Sequence, residues 1–289
     1  MPAVPRSFRG AQSRRAPKPR HRLRSLPDYL ATANIARSAG VPILSFSNDS
    51  GVAGNNVYIL GHIPAQSISR VVDYASSKGM KRFAALVPNG IYGQRASSTM
   101  LRHVKDVGGT MVSIQTFNRD SQSIEAATKK LAQNGEFEAV LLADNGDMAI
   151  RAAPYIRKNA SATAKILGTD LWNTSSNLAG APSMRGAWFA SVSDSLYKQY
   201  ADRYRARYGK APFRLSSLGY DSVLLTVKVA RNWKVGSPFP INQLTDKGGF
   251  IGLDGVFRFQ ADGISERALE VQEIRTGSFA VIDPAPKGF

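Results

Sequence analysis

The chain has 289 residues, of which 43% are hydrophobic, and it carries a formal net charge of +17. This length and apolar content suffice for one large domain or two modest domains with a sizeable core. The sequence contains no cysteine, which excludes disulfides, thiolate metal sites and a cysteine nucleophile. It also contains no apolar run long enough to cross a bilayer, so no transmembrane segment is predicted.

Much of the positive charge lies in the first thirty residues, which hold eight basic side chains and one acid. Because this segment is proline-rich and poor in apolar residues, residues 1–30 are predicted to be disordered. Neither a signal peptide nor a lipobox is recognisable there. Over the remaining chain the basic excess is dispersed and accompanies no nucleic-acid-binding motif, so a nucleic-acid partner is not expected.

From residue 31 onward, the hydrophobic pattern predicts strands that alternate with helices. A helix ending near Gly40 precedes short strands at 41–46 and 57–60, and a further helix follows. Short all-apolar strands separated by helices are typical of a parallel sheet that is covered on both faces. The predicted fold class is therefore α/β. The clearest strands of this sheet are 83–87, 139–143, 165–168 and 187–190.

The C-terminal third of the chain has a different hydrophobic pattern. Four tyrosines recur at helical spacing over 197–208, and this spacing predicts a core seam. Residues 218–229 are apolar on almost every side, so a buried helix is predicted there. From Phe250 onward, short apolar runs separated by glycine-containing turns predict strands joined by tight turns.

The sequence lacks the motifs of common enzymes. It has no G-x-S-x-G, no P-loop and no H-E-x-x-H, and its three histidines lack carboxylates at metal-ligand spacing. A glycine-rich stretch at 248–255 precedes strands instead of opening a helix, which disfavours a phosphate loop. We therefore expect neither an enzyme nor a bound metal or cofactor.

Polar and aromatic residues recur where the predicted strands end. Ligands of open α/β sheets bind just beyond the carboxyl ends of the strands. Short hydroxyl and amide donors suit a carboxylate, an acid suits an ammonium group, and an aromatic ring covers an apolar portion. Each of these residues alone could serve a turn or a helix cap, but their recurrence indicates a site for a small polar ligand. The candidates are Ser47, Asn48, Tyr92, Asp144, Asp170 and Trp172.

Several short segments, taken in order, resemble the type I periplasmic binding proteins of the leucine/isoleucine/valine-binding class. The resemblance covers residues 31–289 and implies two α/β lobes with a ligand cleft between them. It implies a first lobe formed by 31–63 and 192–255, incomplete at its start, and a second lobe formed by 64–191 and 256–289. The segments that carry it are Gly40-Val-Pro-Ile-Leu-Ser45, Asn89-Gly-Ile-Tyr92-Gly93, Gly168-Thr-Asp-Leu-Trp172, Tyr208-Gly-Lys-Ala-Pro212 and Gly252-Leu-Asp-Gly255-Val-Phe-Arg-Phe259.

The resemblance implies recognition of an amino-acid-like solute for uptake through an ABC permease, in the periplasm or attached to the envelope. Amino-acid binders of this class typically place an aromatic residue near Asp144 and a glutamate near Asp170, so this chain departs from the pattern at both positions. Its last residues, 282–289, look most like bacterial penicillin-binding protein activators, which are envelope lipoproteins. The alternative expectation is therefore activation of a peptidoglycan synthase by contact with a penicillin-binding protein.

Overall fold

Helices and strands alternate through most of the chain. The computed structural model describes residues 26–231, 233–234 and 236–289. The predicted disorder of residues 1–25 lies outside these described residues, whereas residues 26–30 belong to the first helix. The elements up to the middle of the chain are α1 (Leu26–Ser38), β1 (Ile43–Ser45), β2 (Val57–Ile59), α2 (Pro64–Ser77), β3 (Arg82–Pro88), α3 (Ile91–Asp106), β4 (Thr110–Phe117), α4 (Ser121–Gln133), β5 (Ala139–Leu142) and α5 (Gly146–Asn159). Those that follow are β6 (Lys165–Gly168), β7 (Trp188–Ser191), α6 (Ser195–Tyr208), α7 (Ser216–Ala230), β8 (Phe250–Gly252), β9 (Gly255–Phe259), β10 (Ser265–Arg267), β11 (Glu270–Arg275) and β12 (Ser278–Asp283).

A seven-stranded sheet forms the centre of the larger half, in the order β12-β11-β7-β6-β5-β3-β4. The five strands from β7 to β4 in this order are parallel, and β11 and β12 extend the sheet antiparallel. Leu86 and Val140 pack towards α4 and α5, while Phe83 and Leu141 pack towards α2 and α3. The predicted α/β fold with a mostly parallel sheet covered on both faces is confirmed.

The smaller half contains two short sheets, a parallel pair β1-β2 and an antiparallel sheet β10-β9-β8. Its core joins α7 to both sheets through a cluster that includes Leu60, Leu225 and Phe257. The expected lobe division assigns β9 and β10 to the second lobe, but both are hydrogen-bonded in the sheet that β8 begins. The chain passes between the two halves near residues 60–63, 192–194 and 268–269.

Helices α6 and α7 are less buried than the sequence predicts. No described residue of α6 is buried, and its tyrosine rings contact one another along the helix surface at tilts of 46–55°, with centroids 4.5–5.9 Å apart. On α7, Leu218 and Leu225 are buried, but Tyr220, Val223 and Val227 are exposed. The physical reason is that the core of this half covers one side of α7, while α6 contributes no residue to it and contacts α7 through Tyr200. Among the described residues, no helix is long and apolar enough to span a membrane.

Candidate functional site

The candidate site lies at the carboxyl ends of three neighbouring strands of the large sheet. Tyr92 follows β3, Asp144 follows β5 and Asp170 follows β6. Because β3, β5 and β6 are adjacent and parallel, their carboxyl ends meet at one edge of the sheet. Tertiary structure therefore brings together three of the six predicted site residues on this edge.

Tyr92 occupies the first turn of α3, and the local sequence fixes its place. A Cβ atom at Gly93 would overlap the carbonyl oxygen of Pro88, so only glycine lets α3 start so close to β3. The Tyr92 hydroxyl lies 3.3 Å from Oγ1 of Thr169, and this contact connects the ends of β3 and β6. Burial raises the pKa of Tyr92 far above its usual value, and the negative charges of Asp170 and Asp144 add to this. The phenol therefore stays neutral and can donate or accept a hydrogen bond.

Asp144 is 1% exposed and already has a charged partner. Arg119, in the loop after β4, donates from Nε to Oδ2 at 2.9 Å and from Nη2 to Oδ1 at 3.1 Å. The backbone N–H of Asn145 also donates to Oδ1, at 2.8 Å, while the Asn145 side chain caps α5. Asp144 therefore orients Arg119 and has no oxygen left without a hydrogen bond. Sequence reasoning missed Arg119, because nothing in its own neighbourhood marks it as a partner of Asp144.

Asp170 has no such partner, since none of the ion pairs among the described residues includes it. Its Oδ1 lies 2.9 Å from the hydroxyl of Ser67, a buried residue of α2 that sequence reasoning also missed. Burial raises the pKa of Asp170, and the nearby His62 and the Ser67 hydroxyl only partly oppose this. A ligand cation that paired with this carboxyl group would stabilise its ionised form.

Trp172 does not line the cleft. Its ring is completely buried in the core on the α4 and α5 side of the sheet, and its Nε1 donates to the backbone oxygen of Asp144 at 3.0 Å. A Cβ atom at Gly168 would overlap the indole ring, so glycine is required there. The expectation of a ligand contact from Trp172 does not fit this position, because the apolar ring is better accommodated in the core than at a wet strand end.

The smaller half contributes the loop after β1. Ser47 accepts a hydrogen bond from the backbone N–H of Asp49 at 3.0 Å, and Asn48 is exposed. Asp49 forms an ion pair with Arg95 of α3 at 3.0 Å, which connects this loop to the larger half. A cavity of about 520 Å³ lies between the loop, the start of α2 and α3, and Asn48 and Tyr92 both line it. Its volume falls within the range of small-molecule sites.

A buried ionic network lies where the chain passes between the two halves. Asp254, in the turn between β8 and β9, contacts His62 at 3.0 Å, Arg214 at 2.7 Å and Ser217 at 2.8 Å. Arg214 also reaches Asp194 at 2.8 Å, so the network touches two of the three crossings. Burial alone would raise the pKa of Asp254, but the hydrogen bond from His62 and the charge of Arg214 outweigh it and hold this pKa well below its usual range.

The arrangement offers binding groups and no metal centre. Across the described part of the chain, no group of three or more histidines and acids is placed to hold a metal ion. The strand-end edge instead presents one unpaired acid, one neutral phenol and one guanidinium that a buried acid orients. Together with the amide of Asn48, these groups suit a small ligand that carries both positive and negative charge.

The chain belongs to the periplasmic binding protein family, whose model matches residues 25–278. A putative branched-chain amino acid ABC transporter protein from Rhodospirillum rubrum has a similar structure, with a TM-score of 0.74 and 20% identity over 87% of this chain and 76% of that one. The branched-chain amino acid transporter substrate-binding protein LivJ from Streptococcus pneumoniae, solved with isoleucine, gives a TM-score of 0.62 and 23% identity over 89% and 77% of the two chains.

A curated relative, an uncharacterized protein of Rickettsia prowazekii, is 22% identical over 259 residues, which cover 86% of this chain and 67% of that protein. The predicted resemblance to type I periplasmic binding proteins of the leucine/isoleucine/valine-binding class is thus confirmed for family and fold. The finer resemblance to penicillin-binding protein activators is not shown by these matches and stays a prediction.

Proposed function

We propose that this protein binds a small amino-acid-like solute in the cleft between its two halves and delivers it to an ABC permease of the bacterial envelope. In this proposal the chain is a non-enzymatic binder. The ammonium group of the solute pairs with Asp170, and Ser47 and Asn48 donate hydrogen bonds to its carboxylate. Asp144 acts through Arg119, and Trp172 supports the site from the core.

The observation that carries this proposal is the unpaired carboxyl group of Asp170. An acid in this partly buried position lowers stability unless a counter-charge arrives, and its raised pKa reflects that penalty. A ligand ammonium would remove the penalty on binding. An organic acid without an amino group would leave Asp170 unpaired, so an amino acid fits the site better.

The cavity supports a small ligand, and one structural neighbour supports the amino-acid class. Asn48 and Tyr92 come from different halves of the molecule and line one cavity, as a residue pair around a small solute would. The Streptococcus pneumoniae protein of similar fold was solved with isoleucine, which carries both an ammonium and a carboxylate group. The ion pair between Asp49 and Arg95 would hold the two halves together around such a solute.

Isothermal titration calorimetry of the protein against a panel of amino acids tests this proposal, with benzoate as a carboxylate that has no ammonium group. We expect binding of at least one amino acid and a loss of affinity of about thirtyfold or more in Asp170→Asn, because a buried charge that loses its partner costs about 2–5 kcal/mol. Asp106→Asn is the matched control, since Asp106 is exposed at the far end of α3.

Two results would contradict uptake-type binding. Equal affinities of Asp170→Asn and Asp106→Asn for the same amino acid would show that Asp170 does not bind the ligand. If no solute binds while an immobilised penicillin-binding protein retains the chain, activation of a peptidoglycan synthase by protein contact replaces the proposal.

A further inference from the structure

The two side chains of the ion pair between Arg119 and Asp144 differ greatly in exposure. The side chain of Asp144 is 1% exposed, whereas that of Arg119 is 57% exposed. A buried carboxylate needs a partner, and here a single guanidinium provides the charge while one backbone N–H completes the hydrogen bonds. The buried member therefore fixes the position of the exposed one.

Arg119 uses only one edge of its guanidinium for this contact. Nε and Nη2 donate to Asp144, so Nη1 keeps two N–H groups that no described residue accepts. A planar guanidinium held along one edge presents its remaining donors in a fixed direction, which suits recognition of a carboxylate. Rotation away from the site would leave Asp144 buried without its counter-charge, so the arrangement is preorganised.

Arg119 also belongs to the same electrostatic neighbourhood as the proposed ammonium site. The hydroxyl of Tyr92 is influenced at once by the charges of Arg119, Asp144 and Asp170. Arg119 follows β4, which pairs with β3, and Tyr92 follows β3 itself. A positive group and an unpaired acid therefore flank one neutral phenol at a single edge of the sheet.

We propose that the solute carries a second negative group and that Arg119, held by Asp144, binds it. The solute class is an amino acid with an acidic side chain. Asp170 binds its ammonium group, Ser47 and Asn48 bind its α-carboxylate, and the free donors of Arg119 receive the side-chain carboxylate. This inference rests on the proposed function, because it assigns a ligand class to the same cleft.

The test compares acids with their isosteric amides, which differ from them in charge but hardly in size. Calorimetric titration of the full chain with glutamate against glutamine, and with aspartate against asparagine, is expected to show a preference of about tenfold or more for one of the acids, the ratio that about 1.4 kcal/mol produces. The ratio is measured at two ionic strengths, and it should decrease with added salt because Arg119 is half exposed.

Variants separate recognition from folding. Arg119→Gln leaves Asp144 buried and unpaired, so its stability is followed by thermal melting alongside the titrations. The double variant Arg119→Gln with Asp144→Asn removes both charges together and keeps the site neutral. In the double variant the ratio of acid to amide affinity should fall to about one, since the counter-charge of the acid is gone. In Arg119→Gln the ratio should fall at least as far, because the unpaired Asp144 repels the acid. Arg185→Gln is the matched control, because Arg185 is exposed before β7, at the opposite end of the sheet from the cleft.

The outcomes distinguish the two proposals. If neutral amino acids bind as tightly as the acidic ones, or if the folded double variant keeps an acid preference seen in the wild type, Arg119 does not select the ligand while the proposed amino-acid site stands. If neither acids nor amides bind while another amino acid of the panel does, this inference alone is refuted. If no amino acid binds at all, both the proposed function and this inference are refuted. A preference for the acid that survives in Arg185→Gln and disappears in the double variant supports the role of Arg119.

Discussion

Replacing Asp254 by asparagine should destabilise the folded protein more than any replacement of an exposed acid. The Asp254 side chain has no exposed surface and contacts Arg214, His62 and Ser217 at 2.7–3.0 Å. Asparagine keeps its shape but removes its charge, which leaves the largely buried guanidinium of Arg214 with Asp194 as its one acidic partner among the described residues. Breaking one side of a buried ion pair costs about 3–5 kcal/mol.

The assay is urea denaturation followed by circular dichroism, with Asp202→Asn as the control. Asp202 forms an ion pair with Arg205 on α6, and both side chains are mostly exposed. An exposed pair of this kind contributes about 0–1 kcal/mol, so the free energy of unfolding should change little in the control. The difference in unfolding free energy between the two variants measures how much burial increases the cost of replacing aspartate by asparagine.

The dependence on pH provides a second readout of the same network. The pKa of Asp254 in the folded protein is lower than in the unfolded chain, so its contribution to stability is complete above the ordinary carboxylate pKa of about 3.9. That contribution is lost as the pH falls towards the folded value. The wild-type protein should therefore lose more stability than Asp254→Asn when the pH is lowered from about 5 to 3. Two results would refute a stabilising role for this network. One is an equal loss of unfolding free energy in Asp254→Asn and Asp202→Asn at pH 7. The other is an equal loss of stability in the wild type and in Asp254→Asn when the pH is lowered.

Two further predictions concern residues of the strand ends. Because the pKa of Asp170 is raised in the folded protein, its ionisation costs stability as the pH rises through that raised value. Asp170→Asn should therefore increase the free energy of unfolding of the ligand-free protein at pH 7 by roughly 0.5–2 kcal/mol, as is common where function costs stability. Urea denaturation measures this change, and a decrease would contradict the prediction. Trp172→Ala should lower the free energy of unfolding by about 3–5 kcal/mol, because a fully buried indole leaves a large cavity. Titration of the folded fraction of Trp172→Ala should show near-normal affinity, and a selective loss of binding would instead place Trp172 in contact with the ligand.

Some of the site could be predicted because it depends on position along the strands. Tyr92, Asp144 and Asp170 each follow a mostly apolar strand by a few residues, and the carboxyl ends of parallel neighbouring strands lie at one edge of the sheet. Their roles were harder to predict. Asp144 and Asp170 look alike in the sequence, yet only the structure shows that the first is paired with Arg119 and the second is not.

The partners that decide these roles are distant in the sequence. Arg119 lies 25 residues from Asp144, Ser67 lies 103 residues from Asp170, and His62 lies 192 residues from Asp254. No local pattern marks such pairs, because each side chain reads as an ordinary loop or helix residue in its own neighbourhood. The packing of the β4 loop and α2 against the strand ends brings the first two pairs together, and the passage of the chain between the two halves brings His62 to Asp254.

The sequence by itself determined the α/β class, the parallel sheet and the family, because periodicity and all-apolar strands follow from which faces are buried. Tertiary structure alone decided which groups are free to meet a ligand. It placed Trp172 in the core and left Tyr220 exposed, and it gave Asp144 an ionic partner while Asp170 has none among the described residues. The physical reason is that burial and charge pairing depend on neighbours from several elements, and these neighbours are defined only once the sheets and helices have packed.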